Sequence, residues 1–168
     1  MLRPQSILRY IGCSSVWFEF HHLYIGSIMS TLRIRDAIGL VSVKHKGQTY
    51  RSQPYFYHLH GVSEKVRVIF KGTIVEQTVA YLHDIIEDTD VTYDYLVEQF
   101  GHEVADPVRL LTRTDDQEYD EYLEALMSDP VAKVVKLADV LFNLEHSVAE
   151  GSRKRIKKYS DAIARLTL

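Results

Sequence analysis

The chain has 168 residues, 46% hydrophobic and 26% charged, with a formal net charge of -3, which fits a single soluble domain with one buried core. No run of about 18 or more apolar residues occurs, which excludes a helical membrane span, and so small a charge argues against nonspecific nucleic-acid binding as the main role. The one cysteine, Cys13, excludes an internal disulfide and fits a reducing cytosol.

Residues 1–28 mix Arg3, Arg9, aromatic residues and the pair His21-His22 without helical or strand period. A signal peptide is a poor fit: the apolar stretch from Tyr10 to Phe18 is short, Glu19 and the histidines interrupt it, and no small-residue cleavage site follows. The expectation is a poorly ordered extension, or an over-called upstream start, ahead of a functional domain spanning 29–168.

From Thr31 onward the apolar residues recur at three- and four-residue spacing, and no strand series appears. The pattern predicts helices near 31–45, 56–70, 73–84, 92–100, 102–113, 117–127, 130–146 and 152–166. Gly47, Gly72, Gly101 and Gly151 fall at helix ends or junctions, and Pro130 stands where a first-turn proline is tolerated. The expected fold is all-α, a single domain of about eight helices without internal repeats.

One stretch breaks this regularity. In Ala80-Tyr-Leu-His-Asp-Ile-Ile-Glu-Asp-Thr89, the four ionisable side chains of His83, Asp84, Glu87 and Asp88 interrupt an apolar segment. Burying them without partners would cost roughly several kcal/mol, and a divalent cation is the simplest compensation. Imidazole and carboxylate both suit first-row metals, so further ligands are sought where polar residues interrupt other apolar runs. His58 in the second helix and Asp139 in the seventh meet that description. With His83 and Asp84 closing the third helix, three helices converge on one point.

These residues resemble the HD-domain phosphohydrolases, and among them the RelA/SpoT-type hydrolases that remove the 3′-pyrophosphate from ppGpp and pppGpp. The resemblance covers roughly 31–165 and rests on ordered blocks: Lys44-His-Lys-Gly-Gln48, Pro54-Tyr-Phe-Tyr-His58, Leu82-His-Asp-Ile-Ile-Glu-Asp-Thr89, Phe100-Gly-His-Glu-Val-Ala105, Leu111-Thr-Arg113 and Val135-Lys-Leu-Ala-Asp139 with Asn143. It implies an HD-domain helical fold in which His58, His83, Asp84 and Asp139 hold one metal ion, usually manganese. Glu87 and Asp88 become the pair that activates or orients the attacking water, and Asn143 a hydrogen-bonding contact to the nucleotide. Lys136 is either a phosphate contact or a lysine snorkelling from a buried helix.

Two departures from the family pattern concern the substrate. Where relatives carry two adjacent basic residues before the first histidine, this chain reads Tyr50-Arg51-Ser52, leaving Arg51 as the phosphate contact and Tyr50 able to stack. After Asp139 the chain continues Val140-Leu-Phe142 in place of a basic residue and a further polar or aromatic one. Arg153 matches a phosphate-contacting position but opens the basic run Arg153-Lys-Arg-Ile-Lys-Lys158, which as a whole reads as a solvated helix face. His45, His60 and His102 are not assigned to the metal.

Because no second block follows before Leu168, the resemblance implies a stand-alone small alarmone hydrolase in the cytoplasm, acting on a small-molecule nucleotide without membrane or nucleic-acid partner; a homo-oligomer is left open. The alternatives are an HD phosphohydrolase acting on another 3′-phosphorylated nucleotide or an RNA end, and a catalytically weak antitoxin or nucleotide-binding protein.

Overall fold

The structure, a computed structural model, describes residues 33–168. The expectations for residues 1–28, and the start of the domain at Met29, lie outside the described residues.

The chain enters on a helix α1 over 33–44 and a two-stranded antiparallel hairpin, β1 (Thr49–Tyr50) and β2 (Gln53–Pro54), pairing Thr49 with Pro54 and Tyr50 with Gln53. Helices α2 (Phe56–Val68), α3 (Ile74–Leu82), α4 (Ile85–Asp88), α5 (Tyr93–Phe100), α6 (His102–Leu111), α7 (Tyr119–Leu126), α8 (Pro130–Ala149) and α9 (Arg153–Thr167) follow. The all-α expectation holds, and each of the eight expected helical segments has its counterpart. Two features differ. The hairpin was not foreseen, because two-residue strands are too short to show an alternating pattern. The third segment is also not continuous to Asp84, but stops at Leu82 and restarts as the four-residue α4.

Local chemistry fixes these ends. Thr73 and Glu76 form a reciprocal capping box at the start of α3. Thr92 accepts from the Tyr95 N–H to begin α5, and Asp129 accepts from Ala132 N–H ahead of Pro130 at the first turn of α8. Gly101, at φ 79, ends α5 and opens α6, a left-handed conformation that glycine adopts at little cost.

Helices α2, α3 and α8 pack on one another around Leu59, Val62, Val79, Leu82, Val135 and Ala138, all fully buried, each larger side chain contributing about 1.5–3 kcal/mol of burial. Helix α6 covers α3 and α8, α9 runs against α8, and α7 touches α6, α8 and α9. Gly61 decides how close α2 comes to α8: a Cβ there would lie 2.0 Å from Phe142 Cε2. Since Gly61 is one turn past His58 and Phe142 one turn past Asp139, that close approach also brings His58 and Asp139 to the same depth.

Candidate metal centre and cleft

His58 projects from the first turn of α2 and is buried, as are His83 and Asp139. His83 is the C-cap of α3, and its Nδ1 lies 2.8 Å from the carbonyl oxygen of Ala80. That carbonyl is one of the acceptors a helix end leaves unpaired, so the contact places the ring proton on Nδ1 and frees the Nε2 lone pair to face the site. Asp84 has φ -101 and ψ 0, in the sparsely populated bridge region, and this break turns its carboxylate toward the imidazoles.

The ligand-type atoms meet at short range. Nε2 of His58 is 3.3 Å from Nε2 of His83, 3.5 Å from Asp84 Oδ2 and 3.5 Å from Asp139 Oδ1; His83 Nε2 is 3.0 Å from Asp84 Oδ2. Ligand bonds of about 2.0–2.2 Å would set neighbouring ligand atoms about 3.0–3.5 Å apart in octahedral or tetrahedral geometry, so these separations fit one shared ion. His58, His83 and Asp84 can thus hold a metal ion, with all their ligand atoms within 4.8 Å of one another. Asp139 approaches from the His58 side.

The electrostatics favour a cation at this point. Burial opposes charge on His83, but the Asp84 carboxylate outweighs it and, helped by Asp139 and the Ala80 carbonyl, raises the imidazole pKa to about 9. Burial also works against the Asp84 carboxylate, yet His83 and His58 hold it well below the usual range. Asp139 is likewise lowered despite burial, first by Lys136 and then by the two imidazoles. Burial disfavours the Lys136 ammonium in turn, and Asp139 overcomes this to keep it charged. A proton and a dication would compete for the His83 Nε2 lone pair, so metal binding and protonation are linked.

Asp139 is held on both oxygens: Lys136 Nζ donates to Oδ2 at 3.0 Å and Asn143 Nδ2 to Oδ1 at 2.6 Å. Beyond it opens a cleft of about 530 Å³. Asp84, Glu87 and Asp139 supply its acidic groups, Arg113, Lys136 and Lys158 its basic groups, and Tyr119, Tyr122 and Tyr159 aromatic surface. Glu87 accepts from the Arg113 backbone N–H at 3.2 Å; burial of its carboxyl and then the charge of Asp84 push its pKa up. Lys158 lies 5.3 Å from the Tyr119 ring centroid and 5.5 Å from that of Tyr159, with its pKa lowered by burial and by the like charge of Lys136.

Of the residues expected from sequence, the structure brings together His58, His83, Asp84, Asp139, Glu87, Lys136 and Asn143. The other three lie outside the cleft lining. Asp88 is exposed, its carbonyl accepting from Gln48 Nε2 at 2.8 Å. Arg51, in the hairpin turn at φ 60, pairs with Glu150 and donates to the His146 carbonyl at 3.5 Å. Arg153 is exposed at the first position of α9. Sequence reading passed over Arg113, Lys158, Tyr119, Tyr122 and Tyr159, and over Tyr55, whose hydroxyl donates to Asp84 Oδ2 at 2.6 Å. Arg113 and Tyr55 stand inside the ordered blocks that carry the resemblance, which was the available signal. The histidines set aside have other partners: His60 meets the Tyr81 hydroxyl at 2.7 Å, His45 meets Gln48 Oε1 at 2.6 Å, and His102 meets the Tyr93 hydroxyl at 3.1 Å.

Known proteins are similar to this chain over most of its length. The guanosine-3′,5′-bis(diphosphate) 3′-pyrophosphohydrolase MESH1 of Danio rerio is 32% identical over 145 residues, covering 77% of this chain and 79% of that protein. MESH1 of Homo sapiens is 33% identical over 150 residues, 80% of this chain and 82% of that one. The chain belongs to the MESH1 family. A solved structure of a metazoan ortholog of SpoT, which hydrolyzes ppGpp and plays a role in starvation responses, matches the MESH1-family fold seen here with TM-score 0.66 and 25% identity over 80% of this chain and 83% of that one. No protein-family model matches the chain. Among the described residues no helix is long and apolar enough to cross a membrane.

Proposed function

We propose that this chain hydrolyses the 3′-pyrophosphate of ppGpp to give GDP and pyrophosphate, with one divalent ion held by His58, His83, Asp84 and Asp139. The observation that carries the reading is the convergence of His58, His83 and Asp84 at the edge of a cleft that is also lined by Arg113, Lys136 and Lys158. Membership of a family whose relatives are named for that reaction gives the substrate. The donor set of imidazoles and carboxylates suits a first-row dication, and we assign manganese. Single-cysteine composition supports a cytoplasmic setting.

When bound, the ion supplies positive charge for a phosphate oxygen and makes water more acidic. Water attacks the phosphorus joined to ribose O3′, the O3′–P bond breaks, and O3′ leaves with the bonding pair and takes up a proton, releasing pyrophosphate. Glu87 is the member of the carboxylate pair that lines the cleft, and its raised pKa suits it to take the proton of the attacking water. Asp88, the other member of the pair, helps to orient that water from outside the cleft lining. Lys136, Arg113 and Lys158 neutralise phosphate charge, and Asn143 offers the remaining lone pair of its Oδ1 to the nucleotide. Arg51 and Arg153 act at the rim; Arg51 reaches phosphate by leaving Glu150.

The test is product analysis of manganese-loaded protein with a panel of 3′-phosphorylated nucleotides. GDP and pyrophosphate in equal amounts from ppGpp are expected. Turnover of a different member of the panel with ppGpp untouched would transfer the function to that nucleotide, and no turnover of any would leave a binding protein.

A further inference from the structure

Apart from Arg51 in its turn, the hairpin has no part in the reaction as derived above, yet Tyr50 at the end of β1 and Tyr55 just after β2 both reach the metal centre, Tyr50 through Asn143. Tyr55, just after β2, donates its hydroxyl to Asp84 Oδ2 at 2.6 Å. Tyr50, in β1, donates to Asn143 Oδ1 at 2.9 Å, and Asn143 Nδ2 donates to Asp139 Oδ1 at 2.6 Å and to the Asp139 carbonyl at 3.0 Å. In both carboxylates the oxygen held this way is the one that faces His58, 3.5 Å away in each case. The rings add to this: Tyr50 stacks on His58 with centroids 4.8 Å apart and planes 14° apart, and Tyr55 meets the same imidazole edge-on at 5.6 Å.

We propose that the hairpin is a two-tyrosine clip in which Tyr55 positions Asp84 directly and Tyr50 positions Asp139 through Asn143. The proposal rests on the metal-site reading above. Asp84 comes from the break between α3 and α4 and Asp139 from α8, so no single helix fixes one carboxylate relative to the other. The hairpin does, because Tyr50 and Tyr55 are tied together by the Tyr50–Gln53 register and β2 leads directly into the His58 helix. A donor on one lone pair of each oxygen leaves the other lone pair aimed at the shared point, so the ligands need little reorganisation when an ion enters. The Tyr50 hydroxyl also settles the Asn143 amide: with the hydroxyl donating to Oδ1, the Nδ2 hydrogens are directed at Asp139, whereas the flipped amide would set its oxygen against the carboxylate. Both tyrosines are positioning residues, acting through the ligands.

The experiment measures manganese affinity of full-length metal-stripped protein by titration calorimetry, for wild type, Tyr50→Phe, Tyr55→Phe, Asn143→Ala and the two double variants that combine Asn143→Ala with each phenylalanine. Phenylalanine keeps the ring contacts with His58 and removes only the hydroxyl. Each hydroxyl deletion is expected to weaken manganese binding about 10-fold, with a fall in kcat and little change in KM, while the unfolding temperature of the metal-free protein stays near that of wild type. In the Asn143→Ala background Tyr50→Phe should cost nothing further, because its partner is gone, whereas Tyr55→Phe should retain its full 10-fold effect. Wild-type affinity in both single variants would overturn the clip, and an undiminished Tyr50→Phe effect without Asn143 would overturn the relay to Asp139. Failure of wild type itself to bind manganese would overturn the metal-site reading instead.

Discussion

The two ends of the cleft are built on opposite principles. At the metal end His58, His83 and Asp139 are buried, and His83, Asp84 and Asp139 are held by named partners: the Ala80 carbonyl, Tyr55, Asn143 and Lys136. At the far end Arg113 and Lys158 are exposed, with Lys158 lying over tyrosine rings and Arg113 reaching the Gln117 carbonyl at 3.2 Å. Buried charges must be paired in advance, because an unpaired one costs several kcal/mol, roughly 3–5 when a partner is removed. Arg113 and Lys158 stay open to solvent until phosphate arrives, Lys158 partly desolvated by its tyrosine neighbours, and carry less cost while they wait. The first end is therefore preorganised for one chemistry, and the second leaves room for the choice of nucleotide.

Substitutions should divide along the same line. The largest effect belongs to Asp84→Ala, which removes a ligand and leaves His58 and His83 without their shared carboxylate. Metal analysis of the purified variant should find no bound ion, and turnover should fall on the order of a thousandfold or more. Bound metal with near-normal rates would show that the buried cluster is structural. Next comes Glu87→Gln, which keeps the shape of the side chain and loses its base. Metal content should match wild type while kcat falls about 10²–10⁴-fold. A variant that lost its metal would place Glu87 among the ligands. The smallest effect is expected at the far end, where Lys158→Ala should raise KM about tenfold, near 1.4 kcal/mol, with kcat little changed. A collapse of kcat there would mean that this end too acts on the transition state, and the contrast between the two ends would be lost.

The contrast also explains what could be read from the sequence. Ligand-type residues interrupting apolar runs are conspicuous because their burial demands a reason, which is why His58, His83, Asp84 and Asp139 stand out together. Helix periodicity and glycine punctuation likewise report the helices that pack around Leu59, Val79 and Val135. The break between His83 and Asp84 leaves no such trace, since it depends on the bridge-region backbone at Asp84 and on no proline or glycine. The hairpin is hidden because each strand has only two residues, and the significance of Tyr50 and Tyr55 lies in partners 93 and 29 positions away. At the far end Lys158 looks like one more lysine in a solvated run. Only the crossing of α9 against α8 shows that it faces the cleft while Arg153, five residues earlier, stands outside its lining.

The central claim is that four side chains from α2, the α3–α4 break and α8 hold one ion on which hydrolysis depends. Its most direct test is to titrate metal-stripped wild type and Asp139→Ala with manganese while following ppGpp hydrolysis in the same samples. The account predicts turnover that rises with occupancy and saturates at one ion per wild-type chain, and no turnover at any manganese level in Asp139→Ala. Full hydrolysis by stripped wild type, or equal rates in the two proteins, would contradict it.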